Sequence, residues 1–170
     1  MQRRHLLKAC AVGCASGAAA LLAGCGFELR KEPDYHFKTL ALKGFIPHSP
    51  LAQELRRQVQ RSALRLLEDP NRADVIIEIE REVRDKTSVA TTTAGQITEW
   101  QLRLQLDYSL RSAGGEVLLP RTELRLTRDM NYSESAALAK EQEEASLQKA
   151  MQVEAVGLLL RRLAAVRLPA

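Results

Sequence analysis

From Trp100 to Arg111 the chain alternates without a break. Trp100, Leu102, Leu104, Leu106, Tyr108 and Leu110 take every second position, and Gln101, Arg103, Gln105, Asp107, Ser109 and Arg111 fill the gaps. Period two is the repeat of an extended strand, whose successive side chains leave opposite faces. A helix would scatter the same leucines around its circumference. The segment therefore predicts a long strand in a sheet with one covered and one wetted face, the pattern of antiparallel pairing. The rest of the chain must supply a layer to cover the apolar face.

The flanking segments read as further strands. In residues 74–91, Val75, Ile77, Ile79 and Val83 are expected on one side and Glu78, Glu80, Glu82 and Arg84 on the other. Thr91-Thr92-Thr93-Ala94-Gly95 marks a turn into the alternating strand, and Ala113-Gly114-Gly115 marks a hairpin turn out of it. A strand from about 116 to 132 follows, with Leu118, Leu124, Leu126, Met130 and Tyr132 on one face; Pro120 within it predicts an edge or a bulge. An earlier strand is expected over Tyr35–Phe45, ended by Gly44.

Two segments have helical spacing. Ser49-Pro50 is a helix start, with serine as cap and proline in the first turn. Leu51, Leu55, Val59, Ala63 and Leu66 then form a stripe that predicts a helix over 51–68, closed by Asp69-Pro70-Asn71. From about 134 to 166, Leu147, Met151, Ala155, Leu158, Leu159, Leu163 and Val166 form a second stripe. Glu141, Glu143 and Glu144 come early in it and Arg161, Arg162 and Arg167 late, which suits the helix dipole. The expected order is β-α-β-β-β-α. The first crossover makes its two strands parallel, and hairpins make the others antiparallel. The predicted fold is α+β: a two-layer sandwich with a four-stranded mixed sheet and two helices on one face, in a single domain over 35–170.

The N-terminus reads as an address rather than as part of that domain. Arg3, Arg4 and Lys8 precede a short apolar run that ends Leu22-Ala23-Gly24-Cys25. This is the layout of a secretory signal. Its end resembles the lipobox of bacterial lipoproteins, which predicts removal of residues 1–24, a diacylglycerol and an N-acyl chain on Cys25, and a tether over 25–34 that reaches roughly 30 Å. Arg3-Arg4-His5-Leu6-Leu7-Lys8 also resembles a twin-arginine motif, so both the general and the twin-arginine export routes stay open. Gly26 is compatible with delivery to the outer membrane.

The formal charge of +4 belongs to the precursor. Without Arg3, Arg4 and Lys8, 22 basic side chains face 21 acidic ones, which predicts no nucleic-acid partner. Cys10 and Cys14 leave with the signal, so no disulfide chemistry is expected. The sequence has no HExxH, CxxC, GxSxG, P-loop or GxGxxG motif, and no metal or other cofactor is predicted. Its carboxylates fall on polar faces, so a hydrolase is the minority reading. Arg57, Arg61 and Arg65 recur along the first predicted helix and suit either phosphates or plain solvent. The polar sheet face of Arg103, Gln105, Asp107 and Arg111 is a second candidate docking surface.

Three segments together resemble the LPS-assembly lipoprotein family, LptE. Cys25-Gly26-Phe27-Glu28-Leu29-Arg30 is similar to that family's acylation site. Gly95-Gln96 with Glu99-Trp100-Gln101-Leu102 is similar to its Gly-Gln turn and the aromatic that opens the next strand. Ala137-Leu138-Ala139-Lys140, followed by Glu143 or Glu144, is similar to the start of its last helix. The resemblance implies a non-enzymatic outer-membrane lipoprotein, anchored by its lipid, with its domain on the periplasmic side or as a plug in the lumen of an LptD-type β-barrel. It implies a part in barrel assembly and in delivering lipopolysaccharide to the outer leaflet. It further implies lipopolysaccharide contact at Lys140, which otherwise reads as an ordinary solvent-exposed lysine. The family's basic residue before the Gly-Gln turn is missing here, where Thr92-Thr93-Ala94 stand; Arg84 and Lys86 are the candidates to replace it. The alternative partner reading is a pilotin-like lipoprotein that guides another envelope complex such as a secretin.

Overall fold

The computed structural model describes residues 33–168. Cys25, the signal and most of the tether lie outside the described residues. The elements are β1 (Thr39–Lys43), α1 (Pro50–Gln60), β2 (Arg65–Leu67), β3 (Val75–Thr91), β4 (Ile97–Ser112), β5 (Val117–Asn131) and α2 (Ala137–Ala164), with short 3-10 turns at Pro70–Arg72 and Glu134–Ala136. The sheet has five strands in the order β2-β1-β3-β4-β5. β1 runs parallel to both β2 and β3, and β4 is antiparallel to both β3 and β5.

The expected α+β layering and mixed sheet are present, but the sheet has five strands rather than four. The extra strand comes from the end of the first predicted helix. That helix stops at Gln60, not at residue 68. Ser62 accounts for the stop: its Oγ donates to the Val59 carbonyl at 2.8 Å and accepts from the Leu64 amide at 3.2 Å. A serine bonded to nearby backbone competes with helix continuation. The chain then turns, and the Arg65 amide donates to the Lys38 carbonyl at 2.8 Å, starting β2 on the free edge of β1. The apolar residues 63, 64, 66 and 67 suit either a helix or a strand, and three residues are too few for a period to decide.

β4 is central, and its apolar positions lie as the alternation predicts, but its other face is not wetted throughout: Gln105, Asp107 and Ser109 are buried too, between flanking β3 and β5. Leu102, Leu104, Leu106, Tyr108 and Leu110 are all buried beneath the helices. Leu51, Leu55 and Val59 of α1 and Met151, Ala155, Val156, Leu159 and Leu163 of α2 complete the same core. Arg162 of α2 donates to the Tyr108 hydroxyl at 2.9 Å, satisfying the polar tip of a fully buried ring. Pro120 sits where β5 slips against β4, between the pairs Tyr108–Thr122 and Leu110–Leu119. It is therefore both on an edge strand and in an irregularity, as proline in a sheet requires.

β1 is shorter than the predicted Tyr35–Phe45, and its start is pinned to β3 by side chains. Asp74 accepts from the Lys38 and Thr39 amides at 2.9 and 2.8 Å, while its own amide donates to Thr39 Oγ1 at 2.8 Å. The Lys38 amide is the largest cause holding the Asp74 carboxyl below its usual range, outweighing the upward push of burial. The sign is that of a lowered acid: the stabilisation is present above the unfolded pKa near 3.8 and is lost as pH falls through the lower folded value. Asp74→Ala is expected to cost about 1–2 kcal/mol at pH 7. The gap to the parent protein should close when chemical denaturation is repeated at progressively lower pH. A gap that stays constant down to the acid limit contradicts this account.

Candidate functional site

β1 ends at Lys43, where it pairs with Glu78. Immediately beyond, Gly44 takes φ +82°, and a Cβ there would lie 2.1 Å from the Ile79 carbonyl oxygen. The backbone of β3 bulges at the same level: Ile79 pairs with Tyr108, but Arg81 rather than Glu80 pairs with Asp107. One extra residue in a strand inverts the facing of everything after it.

The bulge corrects the predicted faces of this strand. Glu78 and Glu80 stay on the open face, as expected. Glu82, Arg84 and Lys86 pair with Leu106, Leu104 and Leu102 and so turn toward the helices. Val83, expected with the core residues, pairs with Gln105 on the open face. Glu82 is tucked at the start of α1 with its side chain 1% exposed. Ser49 Oγ donates to Glu82 Oε1 at 2.8 Å and also caps the Ala52 amide at 3.2 Å. Glu82 Oε2 is buried with no hydrogen-bond partner. The positive end of the α1 dipole favours a carboxylate there.

Past the bulge, Arg84 and Lys86 line a groove of about 230 Å³ between the sheet and α2. Its floor is Leu102, Leu104 and Met151, and Gln148 and Gln152 stand one turn apart on its helix side. Lys86 forms an ion pair with Glu144 and lies 4.6 Å from the ring centre of Trp100, which packs edge-on against Tyr132. Arg84 has the weakest tie of the group: its Nε is 3.5 Å from Glu82 Oε1, and the terminal guanidinium nitrogens are left over.

Lys140 reaches the same region from the other side. Ala137, Lys140, Glu144, Leu147 and Met151 are the more protected positions in the first turns of α2, spaced by three and four. That spacing is a single helix stripe. Because Met151 is in the core and Glu144 meets Lys86, the stripe faces the sheet. Lys140 is 22% exposed and bonds Glu143 at 2.8 Å. The three candidate cations thus share one end of the molecule, on the helix side of the sheet. Trp100 and Lys86 were visible in the sequence as separate residues. Gln148 and Gln152 were not singled out, and Met151 only as part of the apolar stripe, because only the docking of α2 makes them walls.

The open sheet face answers differently. Its cations are largely matched by acids: Lys43 and Arg111 with Glu78, Arg121 with Glu80 and Asp107, Arg103 with Asp85, and Arg125 with Glu123. Asp107 is held below the usual carboxylate range, first by the Arg121 hydrogen bond and then by that of Gln105. Asp85 is held low by Arg103, and Glu78 chiefly by Lys43. This face is a self-neutralised polar surface, poorly suited to collecting phosphates. The predicted arginine row on the first helix is also divided: Arg57 bonds Glu54 on α1, while Arg65 belongs to β2. Thr92 to Gly95 form the β3–β4 turn as expected, with Gly95 at φ +80°. Among the described residues no group of three potential ligands stands ready for a metal ion.

The lipopolysaccharide-assembly family model LptE matches residues 37–163, from before β1 to the end of α2. The LPS-assembly lipoprotein LptE of Pectobacterium atrosepticum is 30% identical over 152 residues, covering 86% of this chain and 80% of that protein. That of Yersinia enterocolitica is 28% identical, covering 88% and 72%. Among solved structures, lipoprotein B from Nitrosomonas europaea superposes with a TM-score of 0.71 at 26% identity, covering 82% of this chain and 91% of that one. Rare lipoprotein B from Shewanella oneidensis gives 0.64 at 18% identity, covering 75% and 95%, a likeness of fold. With the model spanning every strand and both helices, the chain belongs to the LptE family of lipopolysaccharide-assembly proteins.

Proposed function

We propose that this protein is the lipoprotein partner of an LptD-type outer-membrane barrel, and that it meets lipopolysaccharide through Arg84, Lys86 and Lys140. Family membership supports the assignment to lipopolysaccharide assembly at the outer membrane, as a lipid-anchored component without enzymatic activity. It leaves the pilotin-like alternative without a supporting observation.

The observation that carries the residue assignment is that Arg84 and Lys86 line an apolar groove, with Lys140 one turn along α2 from Glu144, the partner of Lys86. Lipopolysaccharide presents phosphates next to acyl chains. A site for it needs cations bordering an apolar floor, and Leu102, Leu104 and Met151 supply that floor. Arg84 is the cation best placed to make new charge-assisted bonds, since its own ion pair is long. The self-paired open face suits the polar lumen of a barrel, where a plug must present wettable surface on its outer sides.

Two measurements test this. Affinity purification of the acylated protein from solubilised outer membrane is expected to recover a large β-barrel in near-equal amount; recovery of a secretin, or of no barrel, defeats the partner assignment. Arg84→Ala is expected to weaken lipopolysaccharide binding about tenfold, as the loss of one charge-assisted contact implies. Lys140→Ala should act in the same direction. Arg121→Ala, on the open face, should leave binding unchanged, and a loss there as large as at Arg84 places the ligand on the wrong side of the sheet.

A further inference from the structure

We propose that the adjoining C-terminal ends of α1 and α2 form a second basic surface, one that rests on the anionic phospholipid headgroups of the leaflet holding the lipid anchor. This goes beyond the function above and rests on the acylation of Cys25.

The two helices end at the same pole of the domain. α1 returns from the end of β1 to the start of β2, where the Arg65 amide meets the Lys38 carbonyl. α2 begins beside Lys86 at the opposite pole and runs past Tyr108, where Arg162 sits, to a buried Val166. Residues of both final turns share one core cluster, among them Val59, Leu159 and Leu163. The chain also comes in at this pole, since Pro33 and the residues up to Lys38 lead directly into β1. The described residue nearest Cys25 in sequence, Pro33, therefore lies at this pole.

The charge on the helix layer is segregated to match. Arg56 and Arg57 on α1, Arg61 at its C-terminal cap, Arg161 and Arg162 in the last turn of α2 and Arg167 just past it are all exposed. Within 50–61 the one acid is Glu54, already bonded to Arg57 and Gln58, and within 155–168 there is none. The acids of α2 lie earlier, at Glu141, Glu143, Glu144 and Glu154. Among the described residues, the side chains of Arg56, Arg61, Arg161 and Arg167 make no ion pair or hydrogen bond. Other acids near this pole belong to the sheet layer and its loops. Asp69 accepts from the Asn71 amide and Asp74 from the Lys38 and Thr39 amides, and Glu68 and Glu116 flank β2 and β5. Helix dipoles favour cations in a last turn only. Arg167 lies past the helix end, and the dipole does not account for it. Unpaired guanidinium groups facing a leaflet gain from its negative surface potential and can fork onto headgroup phosphates.

The test uses the processed, acylated protein in vesicles. With Cys25 acylated and no other cysteine after it in the sequence, Ala165→Cys at this pole and Ala94→Cys at the opposite hairpin would each give a single labelling site. Vesicles of phosphatidylcholine, with or without about 30% phosphatidylglycerol, carry a headgroup quencher. The label at 165 is expected to be quenched more strongly in the anionic vesicles. The excess should vanish in about 0.5 M salt, where charge is screened within a few ångströms. It should also vanish in the triple variant Arg61→Gln/Arg161→Gln/Arg167→Gln, whose fold is checked by its circular dichroism. The label at 94 should respond equally to both vesicles.

Equal quenching at 165 in both vesicles, or an excess that survives the triple substitution, overturns the proposal. An excess seen only when lipopolysaccharide replaces phosphatidylglycerol overturns it as well, and moves a phosphate site to this pole. If the protein fails to float with neutral vesicles, the anchor reading fails separately. Flotation with anionic vesicles alone then supports the arginine surface, and flotation with neither overturns it.

Discussion

Gly44→Ala is expected to destabilise the domain by about 3 kcal/mol or more, lowering the melting temperature by roughly 10 °C. Two effects combine. At φ +82° any Cβ is strained, and this one would lie 2.1 Å from the Ile79 carbonyl oxygen. That oxygen belongs to backbone, which cannot swing aside as a side-chain tip can. Either β1 withdraws from β3 or the bulge rearranges, and both disturb a strand pair that Leu40, Val75 and Ile77 bury completely. Gly95 is the internal control. It has nearly the same φ, +80°, with nothing within 4 Å of a built Cβ, so Gly95→Ala should cost only the backbone term, about 1 kcal/mol. Calorimetry of the two variants separates the clash from the strain. Equal losses at the two glycines would show that the close approach to Ile79 contributes nothing.

Ser49→Ala is expected to cost about 3 kcal/mol, more than the usual ~1 kcal/mol for a lost helix cap. The same hydroxyl serves two partners. It accepts from the Ala52 amide and donates to Glu82 Oε1, and Glu82 already has one oxygen without a partner. Removing the hydroxyl leaves a carboxylate whose side chain is 1% exposed with only the 3.5 Å approach of Arg84. A buried charge left without its hydrogen bonds is among the larger penalties known for single substitutions. A double-mutant cycle isolates the cause. In a Glu82→Leu background, Ser49→Ala should cost only the cap. The same loss in both backgrounds would mean that Glu82 draws no support from Ser49.

These two sites also show where sequence reasoning runs out. The alternation of β4 was legible because apolar and polar side chains leave a strand on opposite faces, so each leucine has one assignment; that Gln105, Asp107 and Ser109 are buried on the other face follows from their neighbours and not from the period. The turns at Gly95 and Gly115, the Ser49 cap and the charge order along α2 followed from local chemistry. β2 was missed because Arg65–Leu67 is too short to have a period, and because the Ser62 hydrogen bonds that stop α1 are not a property of spacing.

The faces of β3 were legible only as far as Ile79. The bulge that follows lies against a glycine 35 positions earlier, and nothing in residues 79–91 announces it. The candidate site suffered most from this. Arg84 was assigned to the wetted side, whereas its pairing with Leu104 turns it toward α2. Lys140 was picked out by resemblance to the family; what the structure adds is that it lies on the sheet-facing stripe of its helix. The groove walls, from Leu102 to Gln152, belong to elements distant in sequence that meet only through the docking of α2.

The early end of β1 has a consequence for how the sheet comes apart. Up to Glu78, β3 has a hydrogen-bonded neighbour on each side; from Glu80 onward it has one. The amides of 75–78 and 106–112 are therefore locked into the part of the sheet that opens only when the whole domain unfolds. Those of the three-stranded extension lie in a peninsula with fewer ties, and such segments exchange hydrogen through smaller, cheaper openings. Protection should fall along β3 and β4 toward the Thr92–Gly95 turn, with a step at the bulge. The half of the sheet that bears Arg84 and Lys86 is then the half that breathes, on a base that stays shut.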